Sequence, residues 1–192
     1  MKSNRLCTTL CVVLLTITTA SCIRKTGSNV GSSSASPSPT SAEVTIANPI
    51  PARAGSVNDY ANVFDDAATK RLETIAAELL HNDAVEVAFL TVDSTGKQTI
   101  GDYSLAVARD WNLGAENHRG MLLTLAIKDR QWRLQVSNAL LPELPGEVTK
   151  ELGDQSVEFY KRGDYAGGAE RYMRALGERL KKSSTANPSK PQ

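Results

Sequence analysis

Cysteine is almost absent from this sequence. The three cysteines, Cys7, Cys11 and Cys22, all lie within the first 22 of the 192 residues. Every later segment therefore lacks a thiol. This excludes disulfides, cysteine nucleophiles and cysteine-bound zinc from the folded part of the chain.

Sequence signatures of common enzyme classes are also missing. The chain contains no Gly-x-Ser-x-Gly nucleophile motif, no P-loop and no dinucleotide-binding fingerprint. Its two histidines are His81, at the end of a predicted helix, and His118, in a predicted loop. The glycines from Gly163 to Gly168 separate two predicted helices. No recognisable nucleophile or nucleotide site follows from the sequence.

Positive charge is scarce in the region expected to fold. Residues 57–180 contain 14 Lys plus Arg against 20 Asp plus Glu, a balance of −6, whereas the whole chain is +1. An acidic domain repels nucleic acid, so we expect no nucleic-acid partner. Divalent cations or basic protein surfaces are more compatible with this charge.

The first 22 residues have the features of an export signal. Lys2 and Arg5 form a positive start, and Leu10 to Ala20 is an apolar run too short to span a bilayer. The stretch Thr19-Ala20-Ser21-Cys22 resembles a bacterial lipobox, although that pattern usually has an aliphatic residue where Thr19 stands. The alternative is a plain secretory signal with Cys22 near its end by chance.

The lipobox resemblance implies that Cys22 is acylated, as by palmitate, and becomes the mature N-terminus. Several acyl chains anchor a protein to a lipid bilayer far more firmly than one. We therefore expect an exported lipoprotein on the cell membrane or outer membrane, facing the periplasm or the exterior.

Low-complexity segments bound the predicted domain. Residues 23–56 are rich in Gly, Ser, Thr, Pro and Ala, which predicts a disordered tether with a root-mean-square length of about 30 Å. Residues 183–192 are polar and predict a disordered tail. One domain remains between residues 57 and 182.

Hydrophobic periodicity predicts alternating helices and strands. A helix capped by Asp65 or Asp66 runs to about His81, and a strand follows over 84–92. A second helix covers 100–112. Pro145 opens a third helix, and a fourth runs from Tyr165 to about Lys181.

A hairpin lies between the second and third helices. Met121 to Ile127 is an apolar run expected of a strand buried on both faces. After the polar turn 128–131, Trp132, Leu134 and Val136 alternate with polar residues, which predicts a strand with one exposed face. The order of elements favours an α/β fold, a three-layer α/β/α sandwich with a mixed sheet and a central hairpin.

Five short stretches of the predicted domain carry a resemblance to a known family. They are Val57-Asn58-Asp59-Tyr60-Ala61, Trp111 to Gly114, Gly120-Met121-Leu122-Leu123 leading to Asp129-Arg130, Leu140 to Pro145, and Gly163-Asp164-Tyr165-Ala166-Gly167-Gly168. Together they resemble the TPM domain of thylakoid-lumen photosystem repair proteins and bacterial envelope proteins. The resemblance implies an α/β/α sandwich. In some members it also implies a calcium or other divalent site and an acid-phosphatase-like activity.

Two segments depart from the family pattern. His118-Arg119-Gly120 stands where the family commonly has Asp-Asn-Gly, and Ser137-Asn138-Ala139 stands where it has Gly-Tyr-Gly. The first change replaces a hard oxygen ligand with an imidazole and a permanent cation. Both changes count against the family's metal site.

Asp59 and Asp129 are the candidate ligands for Ca²⁺ or Mg²⁺. Each is expected at the end of a core element, and a hard cation needs several converging oxygens. Their alternative role is structural: Asp59 would begin a turn, and Asp129 would occupy a hairpin turn and share charge with Arg130. Supplementary oxygen donors are Asn58, Glu116 and Asn117.

The basic residues beside these carboxylates suggest an anion contact. His118, Arg119 and Arg130 could bind an anion or a carboxylate on a partner protein. Trp111 and Trp132 fall on apolar faces, so we expect them in the core rather than in a ligand platform.

The favoured functional prediction is a membrane-tethered envelope lipoprotein. Its TPM-like domain would assist assembly or maintenance of membrane-associated complexes through contacts with an unidentified protein partner. The alternative is a divalent-metal-dependent, acid-phosphatase-like hydrolase, in which Asp59, Asp129 and Arg130 lie near the phosphate and Arg130 or Arg119 pairs with its oxygens.

Overall fold

The computed structural model describes residues 49–186. The predicted signal, Cys22, most of the tether and the end of the tail lie outside this range. Within it, no helix is long and apolar enough to cross a membrane. The strands are β1 (Val57–Asp59), β2 (Glu86–Val92), β3 (Gly120–Ala126) and β4 (Gln131–Val136). The helices are α1 (Asp66–Asp83), α2 (Ile100–Asp110), α3 (Gly146–Asp154), α4 (Val157–Lys161) and α5 (Tyr165–Ala186), with a 3₁₀ turn at Asn138–Leu140.

The four strands form one mixed sheet in the order β1-β2-β3-β4. β1, β2 and β3 are parallel, and β4 is an outer strand that pairs antiparallel to β3. All seven residues of β3 are buried, as predicted for a strand covered on both faces. Leu134 of β4 pairs with Leu123 of β3, so the predicted hairpin register holds.

Helices cover both faces of the sheet, which confirms the predicted three-layer α/β/α sandwich. α1 and α5 pack on the face that carries Val87, Phe89 and Leu123. α2 packs on the other face, where Trp111 joins the second cluster. Trp132 packs against the first cluster, so both tryptophans lie on apolar faces. The second cluster contains Ala88, Leu90, Val92, Tyr103, Val107, Trp111, Leu122 and Ala126.

The two parallel crossovers have opposite hands. β1, β2 and β3 follow one another in one direction across the sheet, yet α1 and α2 lie on opposite faces. A right-handed connection is the strong norm, so one of the two βαβ units departs from it. The loops that follow β1 and β2 consequently leave the sheet toward opposite faces.

The helix ends follow from capping chemistry. The Asp65 carboxylate accepts a hydrogen bond from Ala68 N at 2.6 Å, which satisfies a free amide of the first turn of α1. Ala84 ends that helix in the left-handed region with a φ of 51°. For this reason β2 begins at Glu86 rather than at Ala84. Thr99 caps α2 in the same way through Asp102 N.

Two predicted elements need correction. The three-residue strand β1 was missed, because Asn58 and Asp59 are poor strand formers and favour turns. The third helix is divided into α3 and α4 by a turn at Gln155–Ser156. Gly153 and Asp154 are weak helix formers, and they immediately precede this turn.

Contacts and helical structure extend beyond both predicted boundaries of the domain. Residues 49–56, assigned to the tether, contact the domain: the Trp111 indole N–H donates to Pro51 O at 2.9 Å, and Ile50 packs on the second cluster. At the other end α5 continues to Ala186, four residues into the predicted tail. Composition misses such segments because their order depends on contacts with the rest of the chain.

Candidate functional site

The carboxyl ends of β1, β2 and β3 share one edge of the sheet. The loops after β1 and β2 leave toward opposite faces, and ligands of α/β sheets usually bind at such a place. Asp59 ends β1, and Asp129 lies in the turn after β3. The two predicted ion ligands therefore lie at the same edge.

The Asp59 carboxylate holds the loop between β1 and α1. Its Oδ2 accepts from Phe64 N at 2.8 Å, and its Oδ1 accepts from Val63 N at 3.2 Å. The buried Thr91 hydroxyl also donates to Oδ1. Both oxygens are thus engaged within the domain, as expected of a turn-forming residue.

Asn58 is fixed even more completely. It is 2% exposed, and its amide donates to Gly55 O at 3.0 Å and to Phe89 O at 3.2 Å. Its Oδ1 accepts from Ala54 N at 2.7 Å. With its amide oxygen and nitrogen both bonded to backbone, Asn58 joins the N-terminal segment to β2 and is not presented as a ligand.

Asp129 connects the hairpin turn to the loop after β2. Its Oδ1 accepts from the Ser94 hydroxyl at 2.8 Å and its Oδ2 from Thr95 N at 2.8 Å. The Thr95 amide, followed by the Ser94 hydroxyl, lowers the pKa of the Asp129 carboxyl below its usual value. Asp129 does not pair with Arg130, whose side chain is exposed and makes no ion pair among residues 49–186.

Asp59 and Asp129 do not converge on a common point. The strands before them are separated by β2, and Asp129 lies four residues past Leu125, which is level with Asp59 across the sheet, so their backbones are more than about 10 Å apart. Between residues 49 and 186 no three His, Cys, Asp or Glu side chains are grouped closely enough to hold a metal ion. A hard cation needs more converging oxygens than this arrangement offers. Asp59 and Asp129 therefore do not form one divalent-ion site together, and an ion site at either carboxylate stays a prediction.

A shallow cavity of about 350 Å³ opens beside this edge. Tyr60, Asp93 and Tyr103 are among its lining residues, but Asp59 and Asp129 are not. Asp93 forms an exposed ion pair with Lys128 at 2.8 Å. Burial raises the pKa of the Tyr103 hydroxyl, so this phenol stays neutral. No His, Lys or Arg is among the described residues that line the cavity, so Asp93 faces no base inside it.

Arg119 lies at the opposite edge of the sheet. It precedes β3, whereas Asp129 follows it, and a seven-residue strand separates the two by about 23 Å. The Arg119 guanidinium forms a bidentate pair with Glu143, at 2.8 and 3.0 Å. Both side chains are mostly buried. Arg119 is therefore neutralised within the domain and does not assist Asp129.

Asp83 lies close enough to this ion pair for its pKa to respond to the Arg119 charge. The pKa of its carboxyl is raised by burial, while the charges of Lys181 and Arg119 oppose the rise. One Asp83 oxygen and the Arg119 Nε are buried without a hydrogen-bond partner in the part of the chain that the structure describes. Glu143 and Asp83 were not predicted, because neither lies near Arg119 in sequence and neither belongs to a motif.

The two segments that depart from the family pattern face one another. His118, Ser137, Asn138 and Ala139 line one open cavity of about 490 Å³. His118 is exposed, with a φ of 61°. The Ser137 hydroxyl accepts from Gly120 N at 3.1 Å. Both departures therefore belong to one place in the fold, at the opposite edge from Asp59 and Asp129.

The supplementary donors also lie at this opposite edge. Asn117 donates to Ala84 O at 2.6 Å and accepts from Arg119 N at 2.9 Å, so its side chain fixes the loop before β3. Glu116 is exposed in the same loop. Neither residue is near the carboxyl ends of the strands, and neither supplements Asp59 or Asp129.

Comparisons with known proteins agree with this fold. A family model described as the TPM domain matches residues 57–179. The N-terminal domain of a protein from P. gingivalis, solved by NMR, is 27% identical with a TM-score of 0.62, covering 66% of this chain and 82% of that one. The N-terminal domain of the cg2496 protein from Corynebacterium glutamicum is 12% identical with a TM-score of 0.53, covering 71% and 83%. The search of curated proteins gave no match.

Proposed function

Because this chain belongs to the TPM domain family, we propose that it is a membrane-tethered envelope lipoprotein. Its TPM domain would assist assembly or maintenance of membrane-associated protein complexes through protein contacts. The premise is the family match over residues 57–179. The tethering proposal rests on the signal-like residues 1–22 and on Cys22.

The proposal rests on the separation of the side chains that could take part in catalysis. Asp59 and Asp129 accept hydrogen bonds from different loops, and Arg119 pairs with Glu143 at the other edge. Phosphoryl transfer needs a base or nucleophile and cations placed around one phosphate. This arrangement favours a binding role over hydrolysis.

A phosphatase assay distinguishes this role from the hydrolase alternative. We expect p-nitrophenyl phosphate turnover by the full chain to be indistinguishable from that of an Asp129→Ala variant, with Ca²⁺ or Mg²⁺ present. Asp93→Ala serves as the matched control, because Asp93 is an exposed carboxylate at the same edge. Turnover that disappears only in Asp129→Ala would establish the hydrolase.

Labelling with palmitate tests the tether. We expect label on the wild-type chain in envelope membranes and none on a Cys22→Ser variant. Equal labelling of both chains, or export of an unlabelled protein that is not bound to the membrane, would refute the lipoprotein assignment. The proposed role of the TPM domain in protein contacts would not be affected by that result.

A further inference from the structure

An open groove with a strongly basic rim runs along α5. Its cavity volume is about 700 Å³, and its walls come from α3, α4 and α5. The rim carries four cations, on Arg171, Arg174, Arg179 and Lys182. In a domain with a charge balance of −6, such a concentration of positive charge is unexpected.

Within the described part of the chain, most of these cations lack an anionic partner. Among residues 49–186, Arg174, Arg179 and Lys182 make no ion pair, and Arg171 only reaches Gln155 at 3.3 Å. The groove also contains two carboxylates, on Glu170 and Glu178. Glu170 is already neutralised by Arg71 at 2.6 Å. The rim therefore retains an uncompensated positive charge.

The groove floor is apolar. Leu152 of α3, Phe159 of α4 and Ala175 of α5 line it and are half-buried. Because these side chains are half-buried while Arg171, Arg174 and Lys182 are exposed, a flat bilayer would contact the charged rim before the floor. A peptide segment could contact both.

We infer that this groove binds an acidic segment of a partner protein that also carries apolar residues. Positive charge on the rim complements its carboxylates, and the floor accepts its apolar side chains, as in helix-in-groove recognition. From Arg171 to Lys182 the groove follows about 17 Å of α5, the length of about three helical turns. The inference rests on the proposed role in protein contacts and names the surface and the partner chemistry.

The chain's own undescribed segments do not have the required charge. Residues 23–48 contain Arg24 and Lys25 but a single acid, Glu43, and residues 187–192 contain no Asp or Glu. Neither segment complements a basic rim. We therefore place the occupant on a partner protein.

Fluorescence anisotropy with a defined peptide tests the groove. The protein is the full chain carrying Cys22→Ser, so that acylation does not add its own membrane affinity. The probe is a labelled peptide of about 12 residues containing only Leu and Glu, with Leu at helical spacing. We expect saturable binding in physiological salt, weakened at least about tenfold by Arg174→Glu with Arg179→Glu.

Matched variants make this result specific. Lys70→Glu with Lys97→Glu changes the net charge equally at exposed positions outside the groove and should leave binding unchanged. A probe with Ser in place of Leu should bind more weakly. If the first pair of substitutions unfolds the protein, Arg174→Gln with Lys182→Gln removes rim charge more gently and should also weaken binding.

Several outcomes would overturn the inference. They are equal weakening by both charge-reversal pairs, no saturable peptide binding, or preferential binding to phosphatidylglycerol vesicles over the peptide. A dimer in sedimentation that Arg174→Glu with Arg179→Glu dissociates would assign the groove to a second copy. Photo-crosslinking of an envelope protein to the exposed Leu80 or Leu141, but not to groove positions, would overturn the groove and keep the proposed function.

Discussion

Replacing Arg119 by Met should destabilise the domain more than most single substitutions. Arg119 and Glu143 are 17% and 16% exposed and share two hydrogen bonds. Removing one member of a fully buried ion pair costs about 3–5 kcal/mol, because the remaining charge loses its partner. For this slightly exposed pair we expect a loss of about 2–4 kcal/mol in the free energy of unfolding.

The double variant Arg119→Met with Glu143→Leu should recover most of that loss. It leaves neither charge buried alone, and apolar replacements of a buried ion pair are often neutral. Urea unfolding of the wild type, both single variants and the double variant at pH 7 gives the coupling energy. A coupling energy below about 0.5 kcal/mol, which means that the effects of the two single substitutions add, would refute the pairing.

The pH dependence of the Arg119→Met variant supplies a second check. Burial already raises the pKa of Asp83, and removing the Arg119 charge raises it further. A carboxyl with a raised folded-state pKa binds protons more readily in the folded state, so stability increases as pH falls through that pKa. The deficit of Arg119→Met should therefore shrink from pH 7 toward about pH 4.

Three further predictions concern other positions. Asp59→Ala should cost about 2–4 kcal/mol, since it removes the acceptor for the buried Thr91 hydroxyl and two amides, and differential scanning calorimetry would detect this loss. The pKa of Asp129 is lowered in the folded state, so its carboxylate stabilises the domain above the usual pKa near 4, and this stabilisation is lost as pH falls through the folded-state pKa. In urea titrations, the difference in free energy of unfolding between the wild type and Asp129→Asn should therefore disappear between about pH 5 and pH 2. Gly153→Ala should destabilise the domain by about 1–3 kcal/mol in urea unfolding, because the new Cβ would overlap the Trp132 ring. This cost should exceed the roughly 1 kcal/mol by which Ala favours a helix over Gly.

Much of the fold was predictable from local patterns. The apolar run from Met121 and the alternation around Trp132 defined the hairpin, and Asp65 marked the start of α1. These signals depend on neighbours in sequence, which periodicity and capping describe well. β1 was missed because it is short and acquires its strand conformation from pairing with β2.

The site was less predictable for the same reason. Asp59 was correctly placed at the end of a core element, and Asp129 lies in the hairpin turn, as its alternative role predicted. The sequence contains no signal that Thr91 and Thr95 supply their hydrogen-bond donors. Arg119 is near Asp129 in sequence yet lies beyond the whole length of β3. A strand carries sequence neighbours to opposite edges of a sheet, and only the topology shows which residues meet.

The role of Asp59 and Asp129 in holding loops is tested most directly by thermal unfolding in millimolar Ca²⁺ or Mg²⁺. A cation that binds the folded domain raises its melting temperature, by an amount that grows with the ratio of its concentration to Kd. Because both carboxylates are engaged by protein donors at separate places, we expect an unchanged melting temperature for the wild type. An upward shift that Asp59→Ala abolishes would contradict this role and establish the ion site.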